Sequence, residues 1–294
     1  MKSLRDGVKT LMIQLGRMIA LMLLAGLASA LLVRFSPGTL VDERELDPRM
    51  SQETLAALRA KRVAENSLGA GFLQYLRGAM HGDLGESTSR NAPIADLLTQ
   101  NALPTMRRLG MGLAGAWLVG LGMAVLVARY RRAWIVDSVS SMVAGTLLSL
   151  PAAVLAYFCL TAGVAIETVL ILVLVPRVFR FSRNLLVQAY GSSHVDMARA
   201  RGISETRILF GHVFRGAAPQ LVALIAASLS MAVGAIIPIE AICDAAGLGR
   251  LAWQAAMSRD LPLLVNLTMV IALVTTAAMA IAELEPFRPG ERSS

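Results

Sequence analysis

Six stretches of this chain are apolar for close to the length a bilayer demands, and charged clusters mark where they stop. A helix needs about 20 apolar residues, within a range of roughly 17–25, to cross a hydrocarbon core about 30 Å thick. Segments 17–34, 109–128, 134–160, 164–180, 219–241 and 262–283 meet or approach that requirement. The fourth is the shortest fit, because Pro176 and Arg177 cut into it. Backbone polar groups find no water in lipid, so all six are expected to be helices. Composition agrees: 55% of the 294 residues are hydrophobic and 16% charged, against roughly a quarter charged in a soluble domain. The expectation is one all-α integral membrane domain.

Charge then sets a topology. Lys2, Arg5 and Lys9 precede the first span, Arg129, Arg131 and Arg132 separate the second from the third, and the arginine-rich stretch 177–215 separates the fourth from the fifth. Short loops rich in Lys and Arg stay on the cytoplasmic side. The 161–168 connection carries only Glu167, and 242–261 balances Asp244 and Asp260 against Arg250 and Arg259. Both therefore read as external, and both termini as cytoplasmic. The net charge of +8 is scattered over span ends, not gathered in one basic stripe with interleaved aromatics. That pattern argues against nucleic acid as a partner and for the lipid bilayer.

Arg17 interrupts the first apolar run and no small-residue cleavage site follows it, so it is read as a retained anchor. Cys159 and Cys243 are the only cysteines and lack metal-ligand spacing. They are either inert small residues between helices or a disulfide on the outer face. Segment 35–105 is polar, of mixed charge, with helical periodicity at Leu55, Leu58 and Arg59, and is expected to be an external helical subdomain. The chain thus divides into 1–34 (cytoplasmic tail and first span), 35–105 (external subdomain), 106–284 (a five-helix core) and 285–294 (a cytoplasmic tail). Arg107 and Arg108 fit the outer edge of the second span poorly and call for snorkelling or an aqueous pathway. Gly110, Gly112, Gly115, Gly120 and Gly122 in that span permit another helix to approach closely.

Between the fourth and fifth spans lies YGSSHVDMARARGISETRILFGHVFRGAAP, residues 190–219. It reads as two short helices joined at a bend: 198–201 favour helix, Gly202 can take the left-handed closing conformation, and Ser204 with Glu205 suits a new start. The second helix places Ile203, Ile208, Leu209, Val213 and Phe214 beside Arg207 and Arg215, more apolar than a solvated loop needs. Such a surface takes either a protein partner or the face of an anionic bilayer.

This stretch resembles the EAA loop of ABC importer permeases in the form used by the peptide subfamily. Asp196, Met197 and Ala198 stand where that family has Glu-Ala-Ala, ARARG at 198–202 resembles its ARAKG, and His212, Arg215, Ala217 and Pro219 continue its pattern. The resemblance implies a coupling helix that docks in a groove of an ATPase subunit. Its loop residues would be Asp196, Ala198, Arg199, Arg201, Gly202, Ile203, Arg207, His212, Arg215 and Pro219.

Three more stretches are similar to motifs of the same family. YLRGAMHGDLGES at 75–87 resembles its external YLR…GDLGxS element and supplies Gly82, Asp83 and Gly85. AGLGRLAWQAAMSRDLP at 246–262 resembles its PGLGRL…RDYP segment and supplies Gly247, Gly249, Arg250, Arg259 and Asp260, preceded by Glu240 where the family usually has an acid. Ser36, Pro37 and Gly38 resemble its APGDP. The chain departs from the pattern at 64–72, at Ala246, at Met197, and at Met106, Arg107 and Arg108. The resemblance implies six transmembrane helices in the type I ABC importer permease fold, in the bacterial inner membrane. It also implies a second homologous permease subunit, ABC ATPase subunits and an external substrate-binding protein, for import of peptides, nickel chelates or similar small solutes.

None of the three lysines stands in a G-x-x-x-x-G-K-[ST] phosphate loop, so ATP is expected to be hydrolysed by partner subunits. HExxH and GxSxG are missing, and His81, His194 and His212 lie far apart in sequence. No catalytic residue, metal or cofactor is expected. The rival reading is a self-contained secondary transporter or channel, which would place ionisable residues within its spans. Spans three, five and six hold almost none. A scaffold or sensor built around the external subdomain is the third reading.

Overall fold

The computed structural model describes residues 2–35, 81–129 and 134–283, together with Gly78. The expected periodicity at Leu55, Leu58 and Arg59, the 36–38 and 75–77 elements, the departure at 64–72, Arg131, Arg132 and the 285–294 tail lie outside the described residues.

The order is α1 (Lys2–Phe35), β1 (Glu86–Ser87), β2 (Ala92–Pro93), α2 (Ile94–Arg129), α3 (Trp134–Ser149), α4 (Ala152–Thr161), α5 (Ile166–Tyr190), α6 (Ser193–Ala200), α7 (Glu205–Ile208), a π-helical turn (Leu209–Val213), α8 (Phe214–Ile242), α9 (Leu248–Met257) and α10 (Leu261–Glu283). The two strands form a small antiparallel ribbon with Glu86 opposite Pro93 and Ser87 opposite Ala92. Four described helical runs are long and apolar enough to cross a bilayer: 12–32 in α1, α2, the run 205–242 and 261–280 in α10. The pair α3 and α4 makes a fifth if counted as one span.

Three expectations are corrected here. Segment 134–160 is not one straight span, because α3 and α4 meet at 96° across Leu150 and Pro151. Proline lacks an N–H and its ring drives the preceding residue out of helical geometry. The fourth segment, in contrast, is not cut at Pro176 and Arg177: α5 continues to Tyr190 with Pro176 buried within it. Packed neighbours can compensate the lost bond of a membrane-helix proline. Finally, the second helix of the 190–219 loop is not a separate element. It runs through the π turn into α8 as one rod from Glu205 to Ile242.

α5 is the central helix, flanked by α2, α3, α4 and α8. Glycines set its closest approach to α2. A Cβ on Gly112 would lie 2.5 Å from Leu170 Cδ2, one on Gly115 2.5 Å from Ile171 Cδ1, and one on Gly120 3.0 Å from Val178 Cγ1. Gly110 and Gly122 face open space. Cys159 and Cys243 pack in one apolar cluster as free thiols. α1 lies against α10 through Ala30, Val265 and Met269. Leu32, Leu118 and Met142 project outward, a surface suited to lipid.

Candidate coupling hairpin and the clasp at the opposite end

The hairpin forms where α5 ends. Gly191 closes α5, α6 runs for two turns, and the chain turns back at Gly202, whose φ of +73° is the left-handed geometry expected of it. The Ile203 N–H donates to Ala198 O at 3.2 Å across this turn, a Schellman-type closure. Ser204 takes extended geometry before α7 but makes no side-chain cap bond, so its expected capping role is limited to backbone conformation. Arg199 bridges the two arms, its Nε donating to Glu205 Oε1 at 2.7 Å, and it also meets Asp196 at 3.3 Å. The Arg199 hydrogen bond holds the Glu205 carboxyl below its usual range.

The hairpin's apolar residues divide differently from the sequence reading. Ile208, Leu209 and Val213 are buried with Ala198 and Val195 against the ends of α2 and α5, so they need no outside partner. Ile203 and Phe214 are partly buried against the same cluster. What remains exposed is Met197, at 59%, and Phe210, at 67%, the latter stacked on Phe214. Arg201, Arg207 and Arg215 are exposed around them, His212 is half-buried beside His194, and Pro219 lies inside α8. Phe210 was not among the expected site residues. It lies within the π turn, whose extra residue shifts the helical register, and no periodicity in the sequence signals that turn.

At the opposite end of the rod, Glu240 is fully buried. Its carboxylate accepts from Gly249 N–H at 2.8 Å, Thr105 Oγ1 at 2.9 Å and Arg108 Nη1 at 2.8 Å. Arg108 also donates to Ala246 O at 2.6 Å, and Leu248 N–H donates to Thr105 Oγ1 at 2.8 Å. Any side chain on Gly247 would collide with the Glu240 carboxylate, and a Cβ on Gly249 would lie 2.7 Å from Ile237 Cα. Arg108 therefore needs neither snorkelling nor water. It is the counter-ion of Glu240, and the departure it represents is a lock between α2, α8 and α9.

Asp260, also fully buried, is a second tie. It accepts from Ser87 Oγ at 2.5 Å, Ser89 N–H at 2.9 Å, Ser89 Oγ at 2.7 Å and Leu263 N–H at 3.2 Å. Burial pushes its carboxyl up, but these donors outweigh burial and leave it below the usual range. Arg90 donates to Gln254, and Asn266 Nδ2 to Leu84 O at 3.2 Å. Gly85 N–H donates to Asp83 Oδ1 at 2.9 Å, with Gly82 and Gly85 at positive φ. Arg250 pairs with Asp244 at 2.9 Å, and Arg259 turns the chain at a φ of +54°. The motifs read separately at 82–87 and 246–262 are one folded unit. Ser87, Ser89, Thr105 and Arg108 were missed, although Ser87 lay inside a quoted motif and an acid such as Glu240 invites a search for its arginine. Among the described residues no cluster of three or more His, Cys, Asp or Glu could hold a metal.

Residues 119–284 match the family described as binding-protein-dependent transport system inner membrane component. The chain is 27% identical to a protein named as a peptide permease from Brucella suis biovar 1 (strain 1330), covering 91% of this chain and 92% of that protein. It is 24% identical to the nickel import system permease protein NikB of Staphylococcus aureus (strain USA300), covering 94% and 89% respectively. The fold is similar to a chain of the MetNI methionine ABC transporter in an inward-facing conformation, with a TM-score of 0.54, 22% identity and coverage of 64% of this chain and 95% of that one.

Proposed function

Since the chain belongs to the family of binding-protein-dependent transport system inner membrane components, we infer that it is one of two permease subunits enclosing the path of an ATP-driven importer for peptides or similar small solutes, including metal chelates. The observation that carries the reading is the hairpin. It leaves Met197 and Phe210 exposed on a compact, internally stapled tip, and that tip continues without a break into a membrane-spanning helix. An ATPase subunit that grips this tip can move α8 as a rigid lever. Asp196, Ala198, Arg199, Arg201, Gly202, Ile203, Arg207, His212, Arg215 and Pro219 shape or flank the tip. The chain supplies no nucleotide site of its own in this reading.

The positive-inside pattern orients the hairpin and both termini to the cytoplasm and the Glu240 and Asp260 clasp to the outside. There the 82–93 ribbon and α9 present the surface for a substrate-binding protein. The names of the relatives, one a peptide permease and one a nickel import permease, set the range of solutes. The test is to purify the tagged chain in mild detergent and identify what accompanies it by mass spectrometry. A nucleotide-binding subunit and a second permease are expected. Recovery of this chain alone, under conditions that preserve a known importer, would overturn the reading.

A further inference from the structure

One face of α5 is left open by its neighbours, and it is cationic. Arg177, Arg180, Asn184 and Gln188 are exposed in the single chain with Phe181 beside them, whereas Leu174, Val178, Phe179, Ser182 and Leu186 are buried. Spacings of three and four residues put the exposed set on one side of the helix. At 1.5 Å per residue from Ile166, Arg177 lies about 16 Å and Arg180 about 21 Å along the axis. With Ile166 at the outer edge, Arg177 is then near the middle of a hydrocarbon core about 30 Å thick and Arg180 about 6 Å past the middle toward the hairpin. α5 is packed against α2, α3, α4 and α8, and of these α2 and the run that includes α8 are long and apolar enough to cross a bilayer.

Among the described residues neither guanidinium meets a counter-ion: no carboxylate pairs with Arg177 or Arg180, and Arg177 Nη1 reaches the Met231 thioether on α8 at 2.8 Å. The neighbouring positions of α8 are small: Ala227 and Gly234, the latter with nothing within 4 Å of where a Cβ would stand. A charge at this depth is costly against lipid and belongs in a water-filled path or a protein interior. Arg108 shows the contrast, because where this chain uses an arginine for structure it supplies Glu240 as the counter-ion.

On the importer reading above, in which a second permease closes the path against this chain, we propose that Arg177 and Arg180 line the path and transiently bind the carboxylate of the passing solute. A guanidinium fork matches a carboxylate in shape and charge. With no fixed counter-ion in place, the solute's own anionic group supplies one, and it is free to leave because the partner is not built in.

The test uses the whole importer with Cys159 and Cys243 replaced by alanine and Arg177→Cys added, labelled with a sulfonate-bearing and a trimethylammonium-bearing methanethiosulfonate. Rates are divided by those for a free thiol in solution. Both reagents should react, with the sulfonate favoured about fivefold by the remaining Arg180, and Arg180→Gln should bring the ratio close to one. If Arg177→Cys does not assemble, Arg180→Cys with and without Arg177→Gln reads the same quantity. Reaction only with membrane-permeant N-ethylmaleimide, as at a Leu118→Cys control, would overturn the proposal, and so would equal rates for the two charged reagents. Protection by tri-alanine but not its amide identifies a peptide carboxylate, and protection by nickel citrate that of a chelate. Protection by neither overturns the carboxylate assignment. An ATPase that fails to co-purify with the unsubstituted chain refutes the importer reading whatever the labelling gives.

Discussion

Glu205 and Glu240 stand near opposite ends of one continuous helical run, and their surroundings differ in kind. Glu240 is sealed among α2, α8 and α9, with an arginine, a threonine and a backbone N–H on its two oxygens. Glu205 meets Arg199, whose side chain is 49% exposed, across the open mouth of the hairpin. A buried carboxylate that loses its donors, or donors that lose their carboxylate, leave charge stranded away from water. An exposed pair is replaced by hydration at little cost. The clasp end is therefore a fixed joint and the hairpin end an adjustable one, the asymmetry that the proposed lever requires.

The sharpest way to break that contrast is at the fixed joint. Glu240→Ala strands Arg108 and should destabilise the fold by about 3–5 kcal/mol, seen as a lower thermal midpoint of the detergent-purified protein. Adding Arg108→Met should recover part of the loss, and a double variant as unstable as the single would show that stranded charge is not the cause. Asp260→Asn should cost about 2 kcal/mol by weakening charge-assisted bonds from Ser87 and Ser89. Because the folded Asp260 carboxyl is depressed, its stabilisation is present above the ordinary aspartate value of about 3.9. It fades as pH falls through the lower folded value. Thermal midpoints of the parent and Asp260→Asn should thus converge in strong acid, and a constant gap would contradict the assignment.

The same contrast governs what the sequence could disclose. Long apolar runs fix membrane helices by length and composition, so five of the six expected segments have long apolar counterparts once α3 and α4 are taken together. The fourth is helical too, but its arginines disguise it, because their setting is tertiary and leaves no local signal. Gly202 could be read from its neighbours because a Schellman turn is local. The Glu240 and Asp260 ties join residues 135 and 173 positions apart, so nothing in either neighbourhood could announce them. Motif resemblance named Glu240 but not its partner Arg108, which breaks the family pattern, and it spanned Asp260 and Ser87 in separate motifs without joining them, while Ser89 falls outside both.

At the adjustable end the predicted effects are smaller on stability and larger on coupling. Gly202→Val forces a β-branched residue to a φ of +73°, which costs about 1–2 kcal/mol in the left-handed region. The cost falls on a surface turn, so the amount of protein inserted in the membrane should hardly change. The turn sets the angle between α6 and the rod, so co-purification of the ATPase should drop severalfold. Normal co-purification would mean the bend is incidental to docking.

Arg199→Ala should be the mildest change. It removes an exposed ion pair worth about 0.5 kcal/mol or less after solvent screening, and the hairpin keeps its buried seat of Val195, Ala198, Ile208 and Leu209. The thermal midpoint should move by no more than about 1–2 °C, and the small difference from the parent should vanish in high salt, where exposed pairs are screened. If Arg199→Ala instead lowered the midpoint as far as Glu240→Ala, the hairpin would be a second fixed joint. A rod fixed at both ends could not transmit a displacement by tilting. Coupling would then have to pass through α5 and α2, against whose ends the hairpin is seated.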